Sequence, residues 1–76
     1  MNKTKLDLHG TRIAEVRQKV IAIIEDNWDS GNKLEIITGH SNSMKKEVIE
    51  VINEYNLAYT VGDYFKFNLG YITVET

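Results

Sequence analysis

The order of apolar and polar positions along the 76-residue chain predicts two helices set between short strands. In two segments apolar residues recur at three- and four-residue steps, the spacing of a helix with one buried side. In the first segment, from Thr11 to about Ser30, they are Ile13, Val16, Val20, Ile23, Ile24 and Trp28, and Thr11 is the expected cap. In the second, which opens at a serine cap, Ser41 or Ser43, they are Met44, Val48, Val51, Ile52 and Tyr55. Gly31 and Asn56 suit the left-handed turn that ends each helix.

Four short runs rich in β-branched, leucine and aromatic residues predict strands. They are about Lys5 to His9, Leu34 to Thr38, Ala58 to Val61 and Tyr71 to Val74. The last two are separated by a connection from Gly62 to Gly70. Its aromatic residues Tyr64, Phe65 and Phe67 are expected to close the core, with base stacking as the alternative.

The resulting order β-α-β-α-β-β predicts an α/β fold, a two-layer sandwich on a mixed four-stranded sheet. Two β-helix-β units in series make right-handed parallel crossovers, and the last strand returns antiparallel. One sheet face is apolar through Leu6, Leu8, Leu34 and Ile36, and the other is polar through Lys5, Asp7, His9 and Glu35. Because only one face needs cover, both helices are expected on the same side.

Length and composition narrow the classes of protein. The chain, residues 1–76, is expected to be one domain, since its length leaves room for a single core. It has no cysteine, which suits a reducing compartment, and a cytoplasmic location is expected. Its apolar runs are too short to span a bilayer, so no membrane partner is expected. With nine basic and eleven acidic residues and a net charge of −2, any affinity for nucleic acid must come from a local patch.

The stretch Leu6-Asp7-Leu8-His9-Gly10 contains the end of a predicted strand, two titratable side chains and a glycine at which the chain is expected to reverse. Asp7 and His9 are two residues apart, which in a strand places them on the same side, roughly 7 Å apart. An imidazole can act as general base or acid near neutral pH, and a carboxylate can orient it, bind a cation or activate the attacking group. Alternatively, Asp7 holds its own loop through hydrogen bonds to the backbone.

These residues resemble the first signature of the Smr (small MutS-related) domain family, LDLHG followed by an R-x-x-E helix start, here Arg12 and Glu15. The segment Ile36-Ile37-Thr38-Gly39-His40-Ser41 is similar to the second signature, an apolar strand ending in T-G with His and Ser in the loop. The strand Gly70-Tyr71-Ile72-Thr73-Val74 is similar to a later G-Y-I-x-V strand. Many relatives have a longer T-G-x-G-x-H-S loop, whereas this chain has a single glycine before His40.

The resemblance implies a fold similar to the C-terminal domain of bacterial translation initiation factor three, and an endonuclease that nicks DNA or cleaves RNA. It implies that Asp7 and His9 are catalytic. The predicted nucleic-acid-binding residues are Arg12, Thr38, Gly39, His40, Ser41, Lys45 and Lys46. The expected partner is branched or structured nucleic acid. A binding module without cleavage, for which the short second loop is an argument, and a protein-interaction adaptor stay open as alternatives.

Charge along the two predicted helices supports an anionic partner. Arg12, Lys45 and Lys46 lie at helix starts, against the usual dipole preference, while acids lie toward the far ends. The spacing of Asp7, His9 and His40 does not match a compact zinc motif, so no preformed metal site is expected. Mg²⁺ held by a carboxylate and phosphate oxygens stays open as a cofactor, and the oligomeric state is also open.

Overall fold

The computed structural model of the protein describes residues 3–63 and 68–76 and has the element order that the sequence predicts. The elements are β1 (Lys3–Asp7), α1 (Ile13–Asp26), β2 (Lys33–Ile37), α2 (Asn42–Glu54), β3 (Ala58–Asp63) and β4 (Asn68–Glu75). No helix among these residues is long and apolar enough to cross a membrane. The predicted roles of Tyr64, Phe65 and Phe67 concern residues outside the described ranges.

The four strands form one mixed sheet in the order β1-β2-β4-β3. β1 pairs with β2 in parallel, and its last residue, Asp7, lies opposite Ile37. β4 runs antiparallel to both β2 and β3, between which it lies. The predicted mixed sheet with an antiparallel last strand is therefore confirmed. The sequence did not predict that this strand lies inside the sheet, between β2 and β3.

The hydrophobic core lies between one face of the sheet and the two helices. The sheet contributes Leu34 and Ile36 from β2 and Ile72 and Val74 from β4, all fully buried. The helices contribute Val16, Val20 and Ile24 from α1 and Met44, Val48, Val51 and Ile52 from α2. Burial of one such aliphatic side chain contributes about 1.5–3 kcal/mol, so this set is the main source of stability. Both helices share one face, and the two-layer α/β sandwich is confirmed.

Two residues predicted to belong to the core stripe of α1 are exposed. Ile13 is 41% exposed because it is the first residue of the helix. Trp28 is 54% exposed because the helix ends at Asp26, two residues earlier, and the chain turns away through Asp29 with φ 54°. The Trp28 ring instead lies against Tyr55, with centroids 5.7 Å apart.

Several strand and helix boundaries differ from the predicted ones. β1 ends at Asp7, two residues early, because the Thr11 N–H donates to the Leu8 carbonyl and closes a turn at Gly10. Gly10 has φ 77°, a conformation that glycine adopts at little cost. β3 and β4 extend into the segment predicted as a connection, as far as Asp63 and from Asn68. Asn56 has φ 55° after α2, as predicted.

Candidate nucleic-acid interface

Two loops meet at the edge of the sheet where the parallel strands β1 and β2 end. Asp7 and Ile37 form the last pair of the register, and the Leu8 N–H continues the pairing with a 2.9 Å hydrogen bond to the Ile37 carbonyl. The loop after β1 leads into α1 and the loop after β2 leads into α2. Because both helices start at this edge, their positive dipole ends lie near the two loops, an arrangement suited to anions.

Asp7 and His9 are exposed on either side of the fully buried Leu8. Asp7 Oδ1 accepts a hydrogen bond of 2.9 Å from the backbone N–H of His9. The carboxylate therefore helps to shape the turn that carries the imidazole, which is the structural role weighed for it from the sequence. In the described part of the chain Oδ2 of Asp7 has no hydrogen-bond partner, so one oxygen of the pair remains free for a ligand.

The start of α1 lacks the side-chain cap predicted at Thr11. Arg12 is the N-cap residue, in an extended conformation, and its side chain accepts no capping hydrogen bond. Thr11 lies in the preceding turn, where its Oγ1 accepts a 3.4 Å hydrogen bond from Lys19 Nζ. The cap prediction is wrong because the turn at Gly10 moves the helix start one residue further along the chain. The first N–H groups of α1 are thus left without a capping side chain.

The loop after β2 is held from inside the domain. The N–H groups of Thr38 and Gly39 both donate to the Gly70 carbonyl at 2.9 Å. Thr38 is only 4% exposed, and its hydroxyl lies 3.0 Å from the Gly39 carbonyl oxygen and 3.3 Å from that of Gly70. Ser41, one of the two predicted caps, accepts a 3.3 Å hydrogen bond from the Met44 N–H. Thr38, Gly39 and Ser41 thus position this loop, while the exposed His40 faces solvent, and their contacts with nucleic acid stay predictions.

One group of basic residues is neutralised within the domain. Lys3 and Lys5 both contact Glu35, at 3.4 and 3.6 Å, on the open face of the sheet. Lys33 contacts Glu75 at 3.8 Å, and Arg17 of α1 forms a hydrogen-bonded ion pair with Glu54 of α2. The carboxylates reduce the attraction of these four cations for a phosphate.

A second group has no carboxylate partner in the ranges 3–63 and 68–76. Its members are Arg12, Lys19, Lys45 and Lys46, and all lie at the N-cap or within the first two turns of α1 or α2. Three of the four were predicted from the sequence as phosphate contacts. The structure places them at the edge that also carries Asp7 and His9.

Lys19 is the member that sequence reasoning missed. It follows Arg12 by seven residues in the sequence, the spacing of two helical turns, which predicts that both side chains lie on the same side. The contact of Lys19 with Thr11 brings its amine back to the start of the helix. The seven-residue spacing was the available signal, and it identifies Lys19 as a further candidate for binding phosphate.

The opposite ends of the helices are acidic. Glu25 and Asp26 lie in the last turn of α1, and neither helix has a basic residue in its last turn. The hydrogen bond from Arg17 lowers the pKa of the Glu54 carboxyl and raises that of the guanidinium. The charge of this domain, −2 in total, is therefore unevenly distributed. The basic residues without a carboxylate partner in the described ranges lie at the edge formed by the two loops.

Metal ligands are sparse at this edge. Within the described residues there is no group of three or more His, Asp or Glu side chains that could hold a metal ion. Mg²⁺ often uses one or two protein carboxylates together with water and phosphate oxygens. The free Oδ2 of Asp7 fits that mode of binding, in which most ligands come from the substrate.

The fold and the two loops define an α/β domain, and the edge beyond its parallel strands is where open α/β sheets commonly bind ligands. The family model of the Smr domain matches residues 6–74. The chain therefore belongs to the Smr domain family, which is generally linked to nucleic-acid binding and nicking endonuclease activity. No curated protein and no solved structure matches the chain.

Proposed function

We propose that this domain binds DNA or RNA at the edge formed by the loops after β1 and β2, and nicks the phosphodiester backbone there. The observation that carries the proposal is the position of four basic residues beside the exposed pair Asp7 and His9. These residues, Arg12, Lys19, Lys45 and Lys46, have no carboxylate partner within the described part of the chain. Each cation that meets a phosphate releases condensed counterions, which supplies affinity even when the whole protein is weakly acidic. Membership of the Smr family supports the class of ligand.

The proposed cleavage is a hydrolysis assisted by general acid–base catalysis. The oxygen of a water molecule forms a bond to phosphorus, the bond from phosphorus to the leaving oxygen breaks, and the water proton passes to the His9 imidazole. The leaving oxygen takes a proton from the imidazolium or from solvent. Asp7 keeps His9 in place through the turn, and its free Oδ2 orients the water. If Mg²⁺ is bound, Oδ2 of Asp7 would be its ligand instead of contacting the water directly, and the ion would neutralise phosphate charge.

The experiment compares wild type with Asp7→Asn and His9→Ala on supercoiled DNA, branched duplexes and structured RNA, with Mg²⁺ and with chelator. Asparagine keeps an oxygen for the His9 N–H, so Asp7→Asn removes the charge but preserves the turn. We expect each variant to lose about 10²-fold or more in cleavage rate, the usual scale for an acid–base group. Binding, measured by fluorescence anisotropy, should stay within about threefold because no phosphate-binding cation is removed. His40→Ala is the matched histidine comparison: His40 is predicted to contact nucleic acid and not to catalyse, so this variant should retain cleavage at saturating substrate.

Three outcomes divide the function classes. Full cleavage by both variants would remove catalysis from Asp7 and His9. Binding without cleavage by the wild type would favour the binding module. The short second loop supports that alternative, because the N–H groups of Thr38 and Gly39 already donate to the Gly70 carbonyl and are not available to a phosphate. An absence of binding to every substrate at low salt would leave the protein-interaction adaptor.

The finer features of the proposal need their own measurements. Branched and structured substrates are proposed as the preferred ones, and competition with linear duplex tests that preference. A cytoplasmic location is proposed because the sequence has no cysteine, and fluorescence imaging of the tagged protein tests it.

A further inference from the structure

An open cavity of about 350 Å³ lies where the two helices end, away from the edge that carries Asp7 and His9. It is lined by Trp28, Asp29, Tyr55, Asn56, Leu57 and Thr76. Trp28 is 54% exposed, and its ring plane is tilted by 57° against the Tyr55 ring. The volume is near the lower end of the range for ligand pockets, roughly 300–1,000 Å³, and suits one long side chain.

One carboxylate lines this cavity, and two more lie at the adjoining end of α1. Asp29 lines the cavity, Glu25 accepts a 2.9 Å hydrogen bond from the Tyr55 hydroxyl, and Asp26 lies in the last turn of α1. Within residues 3–63 and 68–76 none of the three forms an ion pair. The nearby cation Arg17 is paired with Glu54 near the end of α2. The negative dipole ends of both helices add to the same field.

A half-exposed indole ring next to the carboxylate of Asp29 favours a cation. The ring quadrupole attracts a positive group above its face, and the carboxylates attract the same group by charge. A guanidinium gains more than an ammonium, because it is planar, stacks on aromatic rings and donates two parallel hydrogen bonds to a carboxylate. Phosphate is repelled by the same carboxylates, so nucleic acid is a poor occupant.

We propose that the cavity lined by Trp28, Asp29 and Tyr55 docks an arginine side chain from a basic segment of a partner protein. The charge complementarity between this acidic, aromatic cavity and a cationic peptide is the basis of the proposal, which does not depend on nuclease activity. α1 spans about 21 Å between the two ends of the domain, at 1.5 Å per residue. A peptide at one end therefore leaves the edge with Arg12 and Lys45 free for nucleic acid.

The test is the binding of a fluorescein-labelled Gly–Arg repeat peptide of eight residues, followed by anisotropy at low salt. The control peptide has citrulline, an uncharged analogue, at each arginine position. We expect saturable binding of the arginine peptide and binding at least tenfold weaker for citrulline. Since Trp28 is the single tryptophan, an unlabelled arginine peptide should also change the intrinsic emission with the same midpoint.

Two substitutions locate the binding site. Asp29→Asn removes one charge and keeps a residue type that tolerates the φ of 54°, and it should weaken binding about threefold or more. Trp28→Leu should weaken binding about two- to fivefold, the scale of an exposed cation–π contact. Glu15→Gln, which removes the same charge at the other end of α1, should leave the affinity within twofold.

Equal affinity for the citrulline peptide would overturn the proposal, as would equal loss with Glu15→Gln and Asp29→Asn, because attraction would then be nonspecific. If Trp28→Leu lowers the melting temperature, the affinity of Asp29→Asn still shows whether the peptide binds at this cavity. Sedimentation of the free protein provides the last check, since dimers that Asp29→Asn dissolves would identify a second copy as the occupant and overturn the proposed partner.

Discussion

The backbone N–H of His9 donates a hydrogen bond of 2.9 Å to Oδ1 of Asp7, so the acid beside the imidazole also shapes the turn that presents it. A single carboxylate thus has a structural role and a proposed chemical one. The two roles depend on different properties, an acceptor oxygen and a negative charge. Substitutions that keep one property and remove the other separate them.

The first prediction concerns the stability of this turn. Asp7→Ala removes the acceptor for the His9 N–H and should lower the free energy of unfolding by about 0.5–1.5 kcal/mol, the net value of one hydrogen bond. Asp7→Asn keeps an acceptor and should change it by less than about 0.5 kcal/mol. Urea denaturation of the three proteins measures both values. Equal losses would show that the charge, and not the hydrogen bond, stabilises the turn.

The second prediction concerns the core. Val20→Asp and Val51→Asp each place an unpaired carboxylate at a fully buried position, at a cost of several kcal/mol. That cost is comparable with the whole stability of a small domain, about 5 kcal/mol at the lower end, so both variants should be unfolded at room temperature. Circular dichroism melts measure this. Ala22→Asp and Asn53→Asp, at exposed positions of the same helices, should melt like the wild type.

The third prediction concerns salt. If Arg12, Lys19, Lys45 and Lys46 each meet one phosphate, a plot of log affinity against log salt should have a slope of about −2.8 to −3.6. Replacing Lys45 and Lys46 by glutamine should reduce the slope by about 1.4 to 1.8, and Lys19→Gln alone by about 0.7 to 0.9. Anisotropy titrations with one labelled oligonucleotide at several salt concentrations give these slopes.

Lys33→Gln is the control for those titrations, because Lys33 is paired with Glu75 at the start of β2, away from the edge. Its slope should match that of the wild type. A slope that falls equally for Lys33→Gln and Lys19→Gln would mean that total charge, and not a local patch, governs binding.

The fourth prediction concerns the pH dependence of the pair between Arg17 and Glu54. The hydrogen bond from Arg17 lowers the pKa of Glu54 below its ordinary value of 4.5. A lowered carboxyl pKa stabilises the fold above the ordinary value, and that contribution disappears as the pH falls through the lower folded value. Side-chain NMR should find Glu54 titrating at lower pH in the wild type than in Arg17→Leu, where the hydrogen bond is removed. An unchanged Glu54 midpoint in Arg17→Leu would contradict the assignment.

Sequence reasoning identified much of the candidate site because its signals are local. The strand end, the glycine turn and the helix start around Asp7 and His9 lie within a few residues of each other, and the start of α2 likewise follows its serine cap. What the motif did not reveal is that the Thr38 hydroxyl is buried against the Gly70 carbonyl, 32 residues away. Nor did it reveal which basic side chains form ion pairs, since Arg17 contacts Glu54, which is 37 residues away in the sequence.

The sequence by itself determined the six elements, their order and the central buried positions of both helices, because periods of 2 and 3.6 residues follow from backbone geometry alone. Only the tertiary structure decided that β4 lies between β2 and β3, that Trp28 is left exposed beside Tyr55, and that four cations remain unpaired among the described residues. These features depend on contacts between residues far apart in sequence. Local pattern does not encode such contacts, since they form only when the helices and the sheet pack together.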